Sequence, residues 1–149
     1  MSIKARIHED MKIALKGGDK ARLSTIRLIM AAVKQREVDE RVELDDAQVL
    51  AVLDKMAKQR RESISQYRAA GRDDLVQKEE TELEVIQSYL PEALAEDEID
   101  ALIAAAIEET GAAGIRDMGK VMTRLKPQIQ GRADMSQVSA KVKAALAQG

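Results

Sequence analysis

Residues 49–86 read VLAVLDKMAKQRRESISQYRAAGRDDLVQKEETELEVI, and this stretch decides the fold class. Apolar side chains recur every three or four residues on both sides of Gly71, which is the spacing of one face of an α-helix. A glycine between two such segments ends the first helix, so the stretch predicts an antiparallel helical hairpin. The predicted inward positions are Val49, Leu53, Met56, Ile64 and Tyr67 before the glycine, and Val76, Leu83, Ile86 and Leu90 after it.

The rest of the chain repeats this helical periodicity and holds only two prolines. Helix-favouring residues dominate, and aspartates stand at the expected helix starts, where a carboxylate can cap free backbone amides. Asp45 with Gln48 and Asp134 with Gln137 have the spacing of a capping box. Outside the hairpin we predict helices over 2–16, from Asp19 with a frayed end over 37–41, over 96–110, from Asp117 to an end or kink at Pro127, and after Asp134.

Pro91 marks the predicted domain boundary. A proline pushes the residue before it, here Leu90, out of the α-helical region of backbone conformations. The sequence therefore predicts an all-α protein with two lobes. The first is an N-terminal four-helix lobe over residues 1–90, and the second is a C-terminal three-helix lobe over residues 91–149.

The composition excludes several classes of site. The chain has no cysteine and one histidine, His8, which rules out thiolate chemistry and a histidine-rich metal site. Aromatic residues make up 1% of the chain, which argues against a stacking platform for single-stranded nucleic acid. The phosphate-binding glycine loop, the dinucleotide fingerprint and the nucleophile elbow are all absent. We therefore predict no catalytic residue, no metal site and no cofactor.

The beginning of the chain carries charge and no apolar leader segment. Residues 1–6 include Lys4 and Arg6, and no stretch of the sequence approaches 18 apolar residues. This pattern predicts a cytoplasmic protein without a membrane partner.

Charge is distributed unevenly along the chain, although the net charge is only −2. Residues 81–110 carry nine acidic and no basic residues, whereas residues 111–149 carry seven basic and two acidic residues. The last third is therefore a small basic module that follows an acidic segment.

Residues 58–63, KQRRES, form the densest basic run. Two interpretations are open. The run can contact phosphates, or its arginines Arg60 and Arg61 can pair with Glu79 and Glu82 on the other helix of the hairpin.

A second constellation lies in the basic module, where Gly119 and Gly131 each precede a basic residue and Asp117 and Asp134 stand at helix starts. A glycine near a helix start is explained if another backbone or a ligand approaches closely. Helix starts also expose amides that can hold anions. The alternative is tight packing beneath a solvated basic surface. The candidate nucleic-acid-binding residues are Arg116, Lys120, Arg124, Lys126 and Arg132.

Several runs together give the sequence a resemblance to the YqeY-like family, also called the GatB/YqeY domain proteins. The resemblance covers essentially the whole chain, in order. The matching runs are Arg22–Leu28, Lys58–Ser63, Gly71–Leu75, Glu79, Glu82–Leu83, Tyr89–Pro91, Asp117–Met122 and Gly131–Asp134.

The resemblance implies an all-helical protein whose C-terminal lobe is similar to the tail of an amidotransferase subunit. That subunit is the B chain of the glutamine-dependent aspartyl/glutamyl-tRNA amidotransferase, and its tail contributes to tRNA recognition. The family is accordingly described as carbon–nitrogen ligase with glutamine as amido-N donor. This chain has no counterpart of the subunit's catalytic domain, so we expect a binding or accessory module for tRNA or an aminoacyl-tRNA-related assembly. The alternative is a helical protein–protein adaptor.

Overall fold

A computed structural model describes residues 1–147, and all regular structure in that range is helical. The prediction of an all-α fold is therefore confirmed for these residues. Contacts divide the chain into two compact units, one of Met1–Pro91 and one that starts at Glu92. The helices are α1 (Ile3–Gly17), α2 (Lys20–Glu40), α3 (Asp46–Ala69), α4 (Asp73–Gln87), α5 (Glu96–Thr110), α6 (Met118–Ile129) and α7 (Met135–Ala147), with a 3-10 turn at Ile115–Asp117.

The N-terminal unit packs α1 to α4 around one apolar core. The predicted hairpin forms between α3 and α4, and Gly71 occupies the left-handed conformation (φ +71°) in the turn between them. Leu53 and Ile86 of the hairpin are fully buried, together with Ile26 and Ile29 of α2. Burying an aliphatic side chain of this size contributes about 1.5–3 kcal/mol, so the apolar periodicity of the sequence is what assembles this unit.

Tyr89 links the end of the N-terminal unit to α1 through a buried ring and a hydrogen bond. Its ring is buried, and its hydroxyl donates a hydrogen bond of 2.6 Å to Asp10. The guanidinium of Arg6 lies 4.9 Å from the ring centroid and donates to the carbonyl of Ser88 at 2.9 Å. Burial, together with the carboxylate of Asp10, raises the pKa of Tyr89 to about 12.

The end of α2 is held by long-range contacts and does not fray as predicted. Glu37 accepts hydrogen bonds from the ammonium of Lys4 and from the amide of Leu44, the latter at 2.9 Å. The helix continues to Glu40, and Arg41 ends it in the left-handed conformation (φ 54°). The hydrogen bond with Lys4 lowers the pKa of Glu37 and raises that of Lys4.

The C-terminal unit packs α5, α6 and α7 around a second core. Val121, Leu125 and Ile129 recur every fourth residue on the inner face of α6 and are fully buried. Helix α6 runs through Pro127 to Ile129, so of the two predicted effects of this proline, an end or a kink, the end is wrong. The proline removes one backbone hydrogen bond, but burial of Ile129 one half-turn later favours the last turn of the helix.

Candidate nucleic-acid interface

The exposed side of α6 carries the basic residues of the candidate interface. Lys120, Arg124 and Lys126 are exposed, whereas the opposite face of the helix is in the core. At 3.6 residues per turn, Lys120 and Arg124 lie about 40° apart around the helix axis, and Lys120 and Lys126 about 120° apart. The cations therefore spread over the whole solvent side of α6 and do not form one tight cluster.

The side chains of two candidate cations, Arg116 in the 3-10 turn and Lys126, are exposed and form no ion pair or hydrogen bond within residues 1–147. The charge of Arg116 acts on Asp117 only at longer range, where it helps to lower the pKa of that carboxyl. Lys120 is nearly as free, because the one ion pair that it forms within residues 1–147 is a long contact of 3.9 Å with Asp117. Such side chains can approach an anion without first giving up an existing interaction.

Arg124 is already engaged. Its Nε donates to Glu109 of the acidic helix α5 at 2.7 Å, and both side chains are about half exposed. On α7, Lys141 likewise lies between Asp100, at 2.9 Å, and Glu96, at 3.2 Å. Part of the positive charge of the C-terminal unit is therefore neutralised by α5 of the same unit. The sequence shows an acidic segment before the basic module, and the structure shows which acid pairs with which cation.

Arg132 holds the start of the C-terminal unit in place. Its Nε donates to the carbonyl of Glu92 at 3.1 Å, and its own carbonyl accepts from the amide of Leu94 at 2.9 Å. Gly131 beside it is buried and has φ +79°, a left-handed conformation that glycine adopts without strain. The guanidinium is half-buried in this arrangement, so Arg132 is a less accessible cation than Arg116 or Lys126.

The carboxylates at the two helix starts have different roles, and only one of them caps its helix as predicted. Asp117 makes no cap on α6. It accepts instead from the amide of Ala113 at 3.0 Å, which closes the loop before the 3-10 turn. This hydrogen bond, with the nearby charges of Lys120 and Arg116, lowers the pKa of Asp117. Asp134 accepts from the amide of Ser136, the second residue of α7, at 2.9 Å, so its carboxylate caps the start of that helix as predicted.

Gly119 has no close neighbour. A Cβ atom placed on it would have nothing within 4 Å, so close approach of another part of the chain does not explain this glycine. It lies exposed in the first turn of α6, beside the free cation Lys120.

The arginines of the α3–α4 hairpin separate into two roles. Arg60 is largely buried between Glu79, at 3.5 Å, and Glu82, at 3.0 Å. Arg61 is exposed and takes no part in this network, because it projects from the next position of the helix. Arg60 therefore serves the packing of the hairpin, and only Arg61 is open to solvent.

Residues 1–147 contain no group of three or more His, Asp or Glu side chains arranged to hold a metal ion. Over the same residues, every helix is too short or too polar to cross a membrane.

Comparison with known proteins identifies the family. The family model for Yqey-like proteins matches residues 4–146, nearly the whole of this chain. The chain is a member of the Yqey-like family. The resemblance stated from the sequence motifs is confirmed by this match.

Three curated relatives share the name "Altered inheritance of mitochondria protein 41, mitochondrial". The relative from Pyrenophora tritici-repentis is 36% identical over 140 residues, which cover 92% of this chain and 77% of the relative. The relative from Eremothecium gossypii is 41% identical over 97 residues, 62% of this chain and 53% of the relative. One from Saccharomyces cerevisiae is 30% identical over 92 residues, 61% of this chain and half of the relative. The chain thus spans about half the length of the last two relatives.

These names overturn the predicted location. The sequence predicted a cytoplasmic protein from its charged start, whereas the relatives are named as mitochondrial proteins. A charged first helix is a property of the folded unit here, since α1 begins at Ile3 and packs on α2, so it carries no information about the compartment.

Proposed function

We propose that this Yqey-like protein is a binding module for folded RNA, such as tRNA, which it contacts through the solvent face of α6. The observation that carries the proposal is the set of exposed cations without strong partners on one small unit, namely Arg116, Lys120 and Lys126. The family resemblance to a tRNA-recognising tail supports the choice of RNA.

Binding through this face depends on phosphates and on shape. Both tyrosines of the chain lie in the N-terminal unit, so the C-terminal unit has no aromatic ring on which a base can stack. Cations on a convex helix reach the phosphate backbone, which positions a protein without reading sequence. Neutralising about four phosphates makes log affinity fall with log salt concentration at a slope of about −3 to −4.

The acidic helix α5 weakens this binding. Glu109 occupies Arg124, and Asp100 with Glu96 occupies Lys141, so an incoming phosphate competes with carboxylates of the same unit. We therefore expect weak binding that is strongest at low ionic strength.

The test uses the full chain and a tRNA transcript over a series of salt concentrations. The Lys120→Gln, Lys126→Gln double variant removes two free cations, and we expect its salt slope to become shallower by about 2. The matched control is the Lys55→Gln, Lys78→Gln double variant, which loses the same charge at exposed positions of α3 and α4. Equal slopes for the wild type and the α6 variant, or equal losses in both variants, contradict an interface on α6.

We further propose that the protein is an accessory module beside a carbon–nitrogen ligase and has no catalytic site of its own. The family label supports the association with glutamine-dependent amide transfer. The lack of any cysteine removes one of the usual glutaminase nucleophiles. Affinity capture of the full chain with and without nuclease tests this. Ligase subunits that remain after nuclease treatment support it, and other proteins alone favour the helical adaptor.

The two-lobe organisation completes the proposal. We propose that residues 1–90 and 91–149 are separate domains, a four-helix N-terminal lobe and a three-helix lobe of the GatB/YqeY type. Two cores without a shared residue support this division.

A further inference from the structure

A line of four cations runs along the solvent side of α2 in the N-terminal unit. Lys20, Arg27, Lys34 and Arg41 recur every seven residues, and we call them the basic stripe. Seven residues are nearly two helical turns, so Lys20, Arg27 and Lys34 lie about 10.5 Å apart along the axis and only about 20° apart around it. Arg41 follows them at the end of α2, in the left-handed conformation. All four are exposed, and the three helical members span about 21 Å along the axis.

The members of the stripe have no ion-pair partners among residues 1–147, whereas the acids of the same helix are engaged. Glu37 is bound by Lys4, Glu40 by Arg36, and Asp39 accepts from Gln35 at 2.9 Å. Asp39 keeps its negative charge because Gln35 is neutral, but the helical register places it about 140° around the axis from Lys34, away from the line of the stripe. Small or uncharged side chains, which are exposed as well, separate the four cations: Ser24, Ala31 and Val38.

We propose that the basic stripe is a second phosphate-contacting surface, along which the backbone of a folded RNA lies. A straight row of cations at a regular interval is complementary to a linear polyanion, whose charges also recur at regular intervals. The separating side chains carry no acid to repel a phosphate. This inference takes its class of partner from the proposed function and adds a surface on the other unit.

Two features favour an RNA backbone over an anionic membrane. The residues of the N-terminal unit include seventeen basic and seventeen acidic side chains, so the unit as a whole has no net attraction to a charged plane. The apolar face of α2 is buried in the core, and the two large apolar side chains that the helix exposes, Leu28 and Val38, are ten residues apart and form no apolar face for a bilayer. At the end of the stripe, Lys34 and Arg41 share a surface hollow with Glu37 and Glu43, both of which pair with Lys4. A plane would meet the other acids of the unit as well.

The first experiment compares two triple variants of the full chain for binding to a tRNA transcript at several salt concentrations. Lys20→Gln, Arg27→Gln, Lys34→Gln removes the helical part of the stripe. Lys55→Gln, Arg61→Gln, Lys78→Gln removes the same charge from exposed positions of α3 and α4. At low salt we expect the affinity of the stripe variant for tRNA to fall about tenfold or more, and its salt slope to become shallower by about 2 to 3. The control variant is expected to change little.

The second experiment locates the RNA directly. The chain has no cysteine, so a single introduced thiol carries a photo-crosslinker at one known place. Ala31→Cys puts it inside the stripe, and the matched Ala69→Cys puts it on an exposed alanine at the end of α3. Crosslinking to tRNA through position 31 and not through position 69 supports the proposal.

The outcomes separate this inference from the proposed function. If the stripe variant binds as the wild type does while the α6 variant is weakened, the stripe is overturned and the proposed function stands. If only the stripe variant is weakened, the α6 interface fails and the stripe remains. Equal losses of tRNA affinity in the stripe variant and its control overturn the proposal for the stripe. The proposal is also overturned if the stripe variant binds tRNA as the wild type does but no longer floats with phosphatidylserine vesicles. A wild type that binds no tRNA overturns both.

Discussion

Single side chains in this protein take their properties from neighbours that are distant in sequence. Tyr89 lies 79 residues from Asp10, yet their hydrogen bond closes the N-terminal unit. Arg60 and Arg61 are adjacent in sequence, but one is enclosed by two glutamates and the other faces solvent. Residue type alone does not separate such roles, because both arginines stand in the same basic run.

The raised pKa of Tyr89 predicts a late ionisation. In a Tyr67→Phe variant, ultraviolet absorbance of tyrosinate reports Tyr89 alone, and we expect a midpoint near pH 12. Adding Asp10→Asn removes the negative charge beside the hydroxyl and is expected to lower that midpoint.

The same shift affects stability with a definite sign. The folded pKa of Tyr89 exceeds the ordinary value of 10.0, so the unfolded chain loses this proton first as pH rises. The contribution of Tyr89 to stability is therefore complete below about pH 10 and is lost between about 10 and 12. A midpoint near 10 in the Tyr67→Phe variant contradicts the buried hydrogen bond to Asp10.

At the scale of elements, the end of α2 shows how a tertiary contact extends a helix. Charged residues over 37–41 predict a frayed end, since helical propensity alone gives little support there. The ion pair of Glu37 with Lys4 of α1, and its hydrogen bond to Leu44, hold both the helix end and the loop that follows.

The contacts of Glu37 with Lys4 and Leu44 predict that the end of α2 is sensitive to acid. The pKa of Glu37 is lowered on folding, so its contribution to stability is present above its ordinary value of 4.5 and is lost as pH falls through the folded value. We expect Glu37→Gln to lower the thermal midpoint at neutral pH and to match the wild type in strong acid.

Glu84→Gln is the matched control, because Glu84 is exposed on α4 and forms no ion pair within residues 1–147. If the Glu37→Gln variant keeps the same deficit in thermal midpoint, relative to the wild type, as the pH falls, the ionised carboxylate of Glu37 does not hold the loop.

For the whole molecule, two separate cores predict two separate transitions. Leu125 is fully buried in the C-terminal core, and Leu→Ala at such a site costs about 2–5 kcal/mol. Both tyrosines lie in the N-terminal unit, so their fluorescence follows that unit while circular dichroism follows all helices. We expect Leu125→Ala to lower the thermal midpoint of the circular dichroism transition that reports the C-terminal unit. The midpoint of the tyrosine fluorescence transition is expected to stay unchanged.

Leu53→Ala is the reciprocal control, since Leu53 is fully buried in the N-terminal core and its loss must shift the tyrosine signal. If Leu125→Ala shifts both signals together, the chain unfolds as one cooperative body and the proposal of two domains is rejected.

The sequence by itself determined the helical class, the hairpin around Gly71, the capping box of Asp45 with Gln48, and buried positions of the hairpin such as Leu53 and Ile86. These features follow from contacts between residues three or four apart, which helix geometry imposes on any chain with this pattern. The tertiary structure decided which cations are free. Arg124 finds Glu109 and Lys141 finds Asp100, whereas Arg116 and Lys126 find no partner among residues 1–147. The physical reason is that an ion pair between helices depends on how the helices pack, and apolar periodicity specifies the buried face of each helix without specifying which charge comes to lie opposite another.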